Sequence, residues 1–503
     1  MRPEPFSSLG ALAESLTAIR PEGTAYRAAG RSWTRREIGE RARALAGGWL
    51  AAGFAPGDVV AIAGDGGASF VLALLSSARA GLVPLVLDTR TTAEEAAIAR
   101  TRASPKALAA CGSPAAPLAE GLEVFAFDEE GCGRLSASAA PLPLTGGADS
   151  PALLLLTSGT TGRPGVVTLT AGNVLADLEA AYEVHPAEPG DVFLSLLPAS
   201  HAFELVPGLL GALWIGATIA RPSTRIPGRL LALANAEGVT RVFLVPSLVR
   251  MMADEIREAG TARRMLVELR GRLRSVICGG APIAPSLVEN VVEAGIPLWL
   301  GYGLTEASPI VALGPAAEIP AGSSGKALPG VEVRIEERTG EVLVRGPNVM
   351  RGYAGDPVGT EEALCDGWLH TGDLGRLDGG GHLFLTGRRK DLIVTAGGEK
   401  VSPEEVELAY ESSLFEEICV VGIPDPDGGG GEKPCLAVVA KAGAGGGSAV
   451  LREEFVRLSL RAGRRRAFGM TVLPAPLPRT RTGKVRRDLV RDRIRHAIEG
   501  ARP

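Results

Sequence analysis

Apolar β-type runs alternate with helix-compatible segments along the first two thirds of this chain, and that alternation restricts the fold more than any single residue. Asp58 to Ala63 (DVVAIA) reads as a buried strand, Ser69 to Arg79 as a helix and Leu82 to Leu87 as the next strand. The pattern returns at Val192 to Leu197, Val242 to Val245 and Ser275 to Cys278, each followed by a helix-compatible stretch. Strands that alternate with helices imply a largely parallel, helix-covered sheet, so the predicted class is α/β. After about Pro329 the character changes. VEVRIEERTGEVLVRG and GRLDGGGHLFLTG read as short antiparallel strands with glycine turns, and LAVVA as one strand among the Gly- and Asp-rich loops of Pro424 to Gly447. At 503 residues the chain exceeds one ordinary core, so two or more domains are expected.

Between Leu153 and Thr170 the sequence LLLLTSGTTGRPGVVTLT is a strand that stops in a loop of Thr, Ser and Gly. Gly159, Gly162 and Gly165 permit positive φ and close approach to a ligand, while Thr157, Ser158, Thr160 and Thr161 add hydroxyls to the exposed N–H groups. Phosphate suits that chemistry. Arg163-Pro164 stands where the G-x-x-x-x-G-K-[ST] loop needs Lys-Ser, which argues against a common P-loop nucleotidase.

Composition narrows the classes further. Hydrophobic content of 46% with 22% charged residues describes a globular chain, and a net charge of −4 argues against wholesale nucleic-acid binding. The six cysteines lie far apart without C-x-x-C spacing, so neither zinc nor a disulfide framework is indicated and a reducing cytoplasm suits them. The start, MRPEPFSSLGALAESL, holds Glu14 and no continuous apolar run, so no signal peptide is expected. Leu205 to Ala220 contains Pro207, is short for a membrane span and reads as a buried helix. Oligomeric state is not readable.

Further chemistry lies downstream. Cys278-Gly279-Gly280-Ala281-Pro282 ends a strand at a tight turn, where missing side chains leave room for a flat ring. Gly301-Tyr302-Gly303-Leu304-Thr305-Glu306 places an aromatic ring, a hydroxyl and a carboxylate within five residues, enough to stack a base, touch phosphate and hold Mg²⁺ through oxygen, although Glu306 taken alone suits a helix cap equally. Asp373, in WLHTGD, suits two ribose hydroxyls or an Asx-turn. Arg388, Arg389 and Lys390 form a charge cluster, and Lys484 follows a flexible segment that can carry a cation into a cleft.

In this order the motifs closely resemble the adenylate-forming superfamily of acyl-CoA synthetases, amino-acid-activating adenylation domains and luciferases, over roughly Gly23 to Leu489. Of 53 basic residues seven are Lys, and two of these, Lys390 and Lys484, fall at the family's lysine-bearing positions. The resemblance implies a large N-terminal domain (1–387) with parallel, helix-covered sheets and a small β-barrel-like part, plus a small mobile α+β lid (388–503) hinged near Lys390. It implies a two-step reaction: a carboxylate attacks Mg·ATP to give an acyl-adenylate, and the thiol of coenzyme A displaces AMP. Residues 158 to 163 would wrap the β- and γ-phosphates behind Thr157, Thr305 would meet phosphate, and Glu306 would anchor Mg²⁺. Tyr302-Gly303 and the Gly280-Ala281 turn would flank adenine, Asp373 and Arg388 would hold ribose, Lys484 would bridge substrate carboxylate and α-phosphate, and Gly397-Gly398 would lie on the thiol path. One departure stands out: family members usually carry Lys after the loop proline, and here Pro164 is followed by Gly165, which leaves open a catalytically weak, nucleotide-binding relative.

For the acid, Leu197 to Glu204 (LPASHAFE) resembles the motif of fatty-acyl and related synthetases in which His or an aromatic guards the acyl pocket, here His201, which is equally readable as a core histidine. Ala202 stands where amino-acid-activating domains place Asp, which disfavours an amino acid. The Leu-, Gly- and Ala-rich stretch after it suits either an apolar tunnel for a medium or long fatty acid or plain core, and an aryl acid stays open. Two alternatives accompany this reading. The arginine-rich end (Arg464 to Arg466, Arg486, Arg487) suits the phosphates of coenzyme A or an acidic acyl carrier protein acting in trans. Gly64-Asp65-Gly66-Gly67-Ala68-Ser69 with Asp88 approximates a dinucleotide fingerprint, and with it a nicotinamide oxidoreductase, but Ser69 replaces the third glycine.

Overall fold

The computed structural model describes residues 4–28, 30–114, 116–135, 143–157, 165–222, 230–258, 271–425, 430–441, 447–474, 476–479 and 485–499. Contacts divide the chain into two units: Met1–Arg334 with Leu343–Thr371 and Gly379–Leu383, and Ile335–Val342 with Gly372–Asp378 and Phe384–Pro503.

The first unit carries two sheets. Across the larger the order is Lys326–Ala327, Ile310–Pro315, Leu298–Gly303, Ser275–Cys278, Arg241–Leu244, Val192–Leu194, Thr218–Arg221, Thr24–Ala28 and Arg31–Thr34. Its inner strands pair in parallel and its edges antiparallel. The second runs Gly352–Tyr353, Gly165–Thr170, Pro151–Thr157, Val83–Leu87, Val59–Gly64, Ala107–Cys111 and Glu123–Phe127, parallel from Pro151–Thr157 onward. Val83–Leu87 and Ala107–Cys111 are buried at every position, as strands covered on both faces must be.

Local signals set the covering helices. Thr92 and Glu95 close a reciprocal cap on Ala93–Ala103, Thr170 and Asn173 do so on Ala171–Val184, and Pro285 opens Pro285–Glu293, where its missing N–H costs nothing. The resulting core is a Leu, Val and Ile layer that includes Leu244, Val249, Val276, Val291 and Leu298. Leu205 to Ala220, expected as one buried helix, begins with a π-helical turn at Leu205–Leu210 that contains Pro207, whose ring and absent N–H oppose regular α-helix bonding, and continues as α-helix only over Gly211–Ile215. Gly216 (φ +81°) ends the helix, and Thr218–Arg221 starts a strand the sequence reading placed inside it.

Where the antiparallel segments are expected, Glu332–Ile335, Glu341–Arg345, Trp368–Leu377 and Leu364–Cys365 form a sheet that Leu383–Arg388 joins on Trp368–Leu377. In the second unit Phe415–Pro424 and Glu432–Ala440 pair antiparallel, and Gly469–Val472 adds in parallel after the crossover helix Gly447–Ala462. Successive residues of Phe415–Pro424 feed opposite faces. Val420 packs with Val406, Tyr410 and Leu458, whereas Cys419 and Val421 pack with Val490 and Ile494 of Arg487–Glu499. Among the described residues no helix is long and apolar enough to cross a membrane.

Candidate active site

In open α/β sheets ligands gather at the carboxyl ends of strands, and the predicted residues of the first unit collect there. Pro151–Thr157 and Gly165–Thr170 form an antiparallel hairpin in which Thr157 faces Gly165. Ser158, Gly159, Thr160, Thr161, Gly162, Arg163 and Pro164 lie outside the described residues. Gly165, counted with the loop from sequence, belongs to the returning strand, and a Cβ on it would stand 3.1 Å from the Tyr353 ring. Tyr353 pairs with Val167 on the next strand and donates its hydroxyl to Glu306 Oε1 at 2.9 Å. Sequence reasoning missed Tyr353, although an aromatic between two glycine turns (RGYAGD) was a visible signal.

Glu306 is 2% exposed and sits in the single turn Thr305–Ala307, while Thr305 is half-buried. Its backbone carbonyl accepts the Met350 N–H at 2.8 Å, which seats the turn against the following segment. A buried carboxylate needs donors or a cation, so one Glu with a tyrosine hydroxyl on one oxygen suits Mg²⁺, which takes one or two carboxylates and completes its shell with phosphate and water. Leu298–Gly303 leads into this turn. Tyr302 lies opposite Ala312 and is buried at 6% exposure, and Gly303 is obligatory, because a Cβ there would fall 1.8 Å from the Pro309 carbonyl oxygen.

Gly279-Gly280 follows the neighbouring strand Ser275–Cys278, with Gly280 exposed at φ +84° and Ala281 half-buried. Gly279 has a neighbour the sequence did not reveal: its missing Cβ leaves room for Phe203, whose Cζ would be 3.3 Å away. Phe203 meets Phe243 edge-on with centroids 5.1 Å apart, and His201, half-buried, precedes it at the start of the short helix Ala202–Glu204. Every residue from Leu205 to Ala217, within the stretch read as tunnel wall or core, is buried.

In the second unit Arg388 Nε lies 2.9 Å from Asp373 Oδ1, which joins two residues fifteen positions apart in sequence. Beside them Glu341, also unread from sequence, accepts the Gly372 N–H at 2.8 Å and Arg389 NH1 at 3.2 Å. Lys390 is exposed in the turn Arg389–Asp391. Gly397 and exposed Gly398 (φ +77°) form the tip of the hairpin Ile393–Val394/Lys400–Val401, with open space around both. Lys484 lies outside the described residues. The chain on either side is anchored: Arg479 bridges Val485, and Glu417 accepts the Leu477 N–H. Arg487 donates to Glu404 at 2.9 Å, to Glu407 and to the Val420 carbonyl at 2.8 Å. Burial raises the Glu407 and Asp391 carboxyls, with Arg487 opposing it in both.

The dinucleotide alternative loses its basis. Its glycine loop does join a strand to the helix Ala68–Arg79, but Gly66 is packed against buried Arg221, whose NH1 would be 2.9 Å from a Cβ, and its carbonyl accepts the Tyr26 hydroxyl at 2.7 Å. Asp88 pairs with Arg90 at 3.1 Å. Among the described residues no cluster of three His, Cys, Asp or Glu forms a metal site.

Comparison with known proteins gives this geometry its chemistry. The AMP-binding enzyme family matches residues 14–354. A feruloyl-CoA synthase of Amycolatopsis sp is 33% identical over 436 residues, covering 81% of this chain and 84% of its own. A long-chain-fatty-acid–CoA ligase of Mycobacterium bovis is 32% identical over 318 residues, 55% of this chain and 53% of its own. The o-succinylbenzoate CoA synthetase of Bacillus subtilis, solved with its acyl-adenylate intermediate, superposes with TM-score 0.84 at 25% identity over 98% of this chain and 99% of that one, and its complex with ATP and magnesium gives 0.82 at 26% over 95% and 98%. On the family match and these relatives, the chain belongs to the AMP-binding enzyme family of the adenylate-forming superfamily, as an AMP-forming acid–thiol ligase of the acyl-CoA synthetase type that uses ATP, Mg²⁺ and coenzyme A.

Proposed function

We propose that the acid this ligase activates is an aromatic one, an aryl-alkenoic or aryl-acetic acid, and that coenzyme A is its acceptor. The observation that carries the substrate reading is the aromatic edge at Gly279: half-buried Phe203, backed by Phe243, next to a turn with no side chain. A flat ring gains offset or edge contacts there that an alkyl chain does not. The preference for a medium or long fatty acid drew on Leu205 to Ala220 as a tunnel, and that stretch is buried from Leu205 to Ala217. The feruloyl-CoA synthase likeness, over 81% of the chain, points the same way.

In the first step a carboxylate oxygen forms a bond to the α-phosphorus and the bond to the β-phosphate breaks, releasing pyrophosphate. In the second the thiol sulfur attacks the acyl carbon, its proton is lost and AMP leaves. Two anions must meet first, so screening and orientation are the main needs. Residues 158 to 163, including Arg163, cradle the outer phosphates, Thr305 contacts phosphate, and Asp373 with Arg388 holds ribose. Glu306, oriented by Tyr353, would hold Mg²⁺, which when bound offsets charge on the phosphate oxygens. Tyr302 backs the adenine face from a buried position. Lys484 brings its ammonium to carboxylate and α-phosphate. The lid (388–503) pivots about Lys390, presenting Lys484 for the first step and the Gly397-Gly398 hairpin for the second. Cysteines without paired spacing support a cytoplasmic setting.

A panel of cinnamate-type, arylacetic and C8 to C16 alkyl acids, reporting AMP and thioester together, tests this reading. Aryl acids should show the higher kcat/KM. An alkyl acid in first place overturns the substrate assignment, and thioester formed on an acyl carrier protein but not on coenzyme A overturns the acceptor.

A further inference from the structure

We propose that Glu341 is a positioning residue that couples the nucleotide-binding pair Asp373 and Arg388 to the turn carrying Lys390. The inference rests on the reading that Asp373 and Arg388 hold ribose and that Lys390 is the pivot. Glu341 opens the strand Glu341–Arg345 and is 2% exposed, a burial that a carboxylate tolerates only with donors close by. Its two oxygens serve different elements. Oε1 accepts the Gly372 N–H at 2.8 Å, and Oε2 accepts Arg389 NH1 at 3.2 Å.

Those two donors flank the proposed machinery. Gly372, at φ +71° in a conformation side chains disfavour, is the residue before Asp373, whose Oδ1 takes Arg388 Nε at 2.9 Å. Arg389 stands between Arg388 and Lys390 in the turn Arg389–Asp391. One carboxylate therefore grips both the peptide that aims the ribose carboxylate and the guanidinium beside the pivot. The grip is unequal: the Arg389 side chain is 61% exposed, so its half is screened by water, whereas the half to the peptide N–H is made by a buried oxygen. Rotation about Lys390 breaks the weaker Arg389 half first, leaving Asp373 aimed while the turn resets.

Two variants separate the halves. Glu341→Gln keeps an acceptor for the Gly372 N–H but removes the charge facing Arg389, and Arg389→Met removes the other partner at an exposed position. Pyrophosphate release reports the first half-reaction, and thioester formation from supplied acyl-adenylate and coenzyme A the second. Both variants should slow the second by about 2- to 5-fold with ATP KM moved less than about 2-fold, and the double variant should be no slower than either single. Glu341→Ala, lacking both acceptors, should raise ATP KM by about 10-fold. Multiplying losses in the double variant, or an equal fall of both half-reactions with a lowered Tm in Glu341→Gln, would overturn the coupling and leave a structural carboxylate. Asp373→Asn separates the layers. An unmoved ATP KM there refutes the ribose reading itself, whereas a raised one beside wild-type behaviour of Glu341→Gln and Arg389→Met refutes the coupling alone.

Discussion

Replacing Tyr353 by Phe tests the proposed metal-binding carboxylate at a single atom. The hydroxyl is a donor to Glu306 Oε1 at 2.9 Å, and Glu306 is 2% exposed, so water cannot take its place without local rearrangement. A hydrogen bond to a charged group is worth about 1.5–3 kcal/mol net, which becomes about 10- to 150-fold in kcat/KM for pyrophosphate release if the whole of it is felt in the transition state. Gly165→Ala, whose Cβ would press on the same ring at 3.1 Å, should reproduce part of this loss with the hydroxyl still present. Glu306→Gln keeps an acceptor for Tyr353 and loses the charge, so it should weaken Mg²⁺ dependence more than Tyr353→Phe does. The measurement is pyrophosphate release at several Mg²⁺ concentrations. Wild-type kcat/KM with wild-type Mg²⁺ dependence in Tyr353→Phe would refute the argument that this hydroxyl holds the carboxylate ready.

Further outcomes follow from other positions. Gly303→Ala puts a Cβ 1.8 Å from the Pro309 carbonyl oxygen, backbone that cannot step aside, so thermal melts should show a loss of about 3 kcal/mol or more. His185, stacked on Trp299, is pushed down to about 3 by burial and by Arg241, so stability present above its ordinary 6.5 is lost as pH falls. His185→Phe should reduce the difference in urea-unfolding free energy between pH 7 and 5 by about 2 kcal/mol, and an unchanged difference would refute the assignment. Lys484→Ala should abolish adenylate formation while sparing thioesterification of supplied adenylate, and Lys390→Pro should do the reverse; equal losses in both assays would count against the two roles.

The strand-and-helix order was legible because apolar period and caps are local. Val59–Gly64 and Ser275–Cys278 could be read within a residue of their ends. The downstream motifs were legible for the same reason: Gly303, Thr305 and Glu306 are consecutive enough to be placed at one strand end. What escaped is long-range. Tyr353 meets Glu306 across 47 positions, and Glu341 meets Arg389 across 48, pairings that no periodicity encodes. Leu205 to Ala220 was not legible for another reason. Leu, Gly and Ala suit a wall and a core equally, and neither the Tyr182 hydroxyl on the Pro207 carbonyl at 2.7 Å nor the turn at Gly216 is encoded in their period. The redox fingerprint misled because the residue that fills its loop, Arg221, lies far downstream in sequence.

The glycine at 165, a departure from the family's loop lysine, acquires a physical meaning from the same contacts. Read from sequence it is a missing cation next to the phosphates. In the fold it begins a strand whose next neighbour carries Tyr353, and the absence of a Cβ lets that ring lie where its hydroxyl meets Glu306. A side chain at 165 must either displace the ring by a few tenths of an ångström or bend the strand. The residue that stands in place of a loop cation therefore also leaves undisturbed the tyrosine whose hydroxyl meets Glu306.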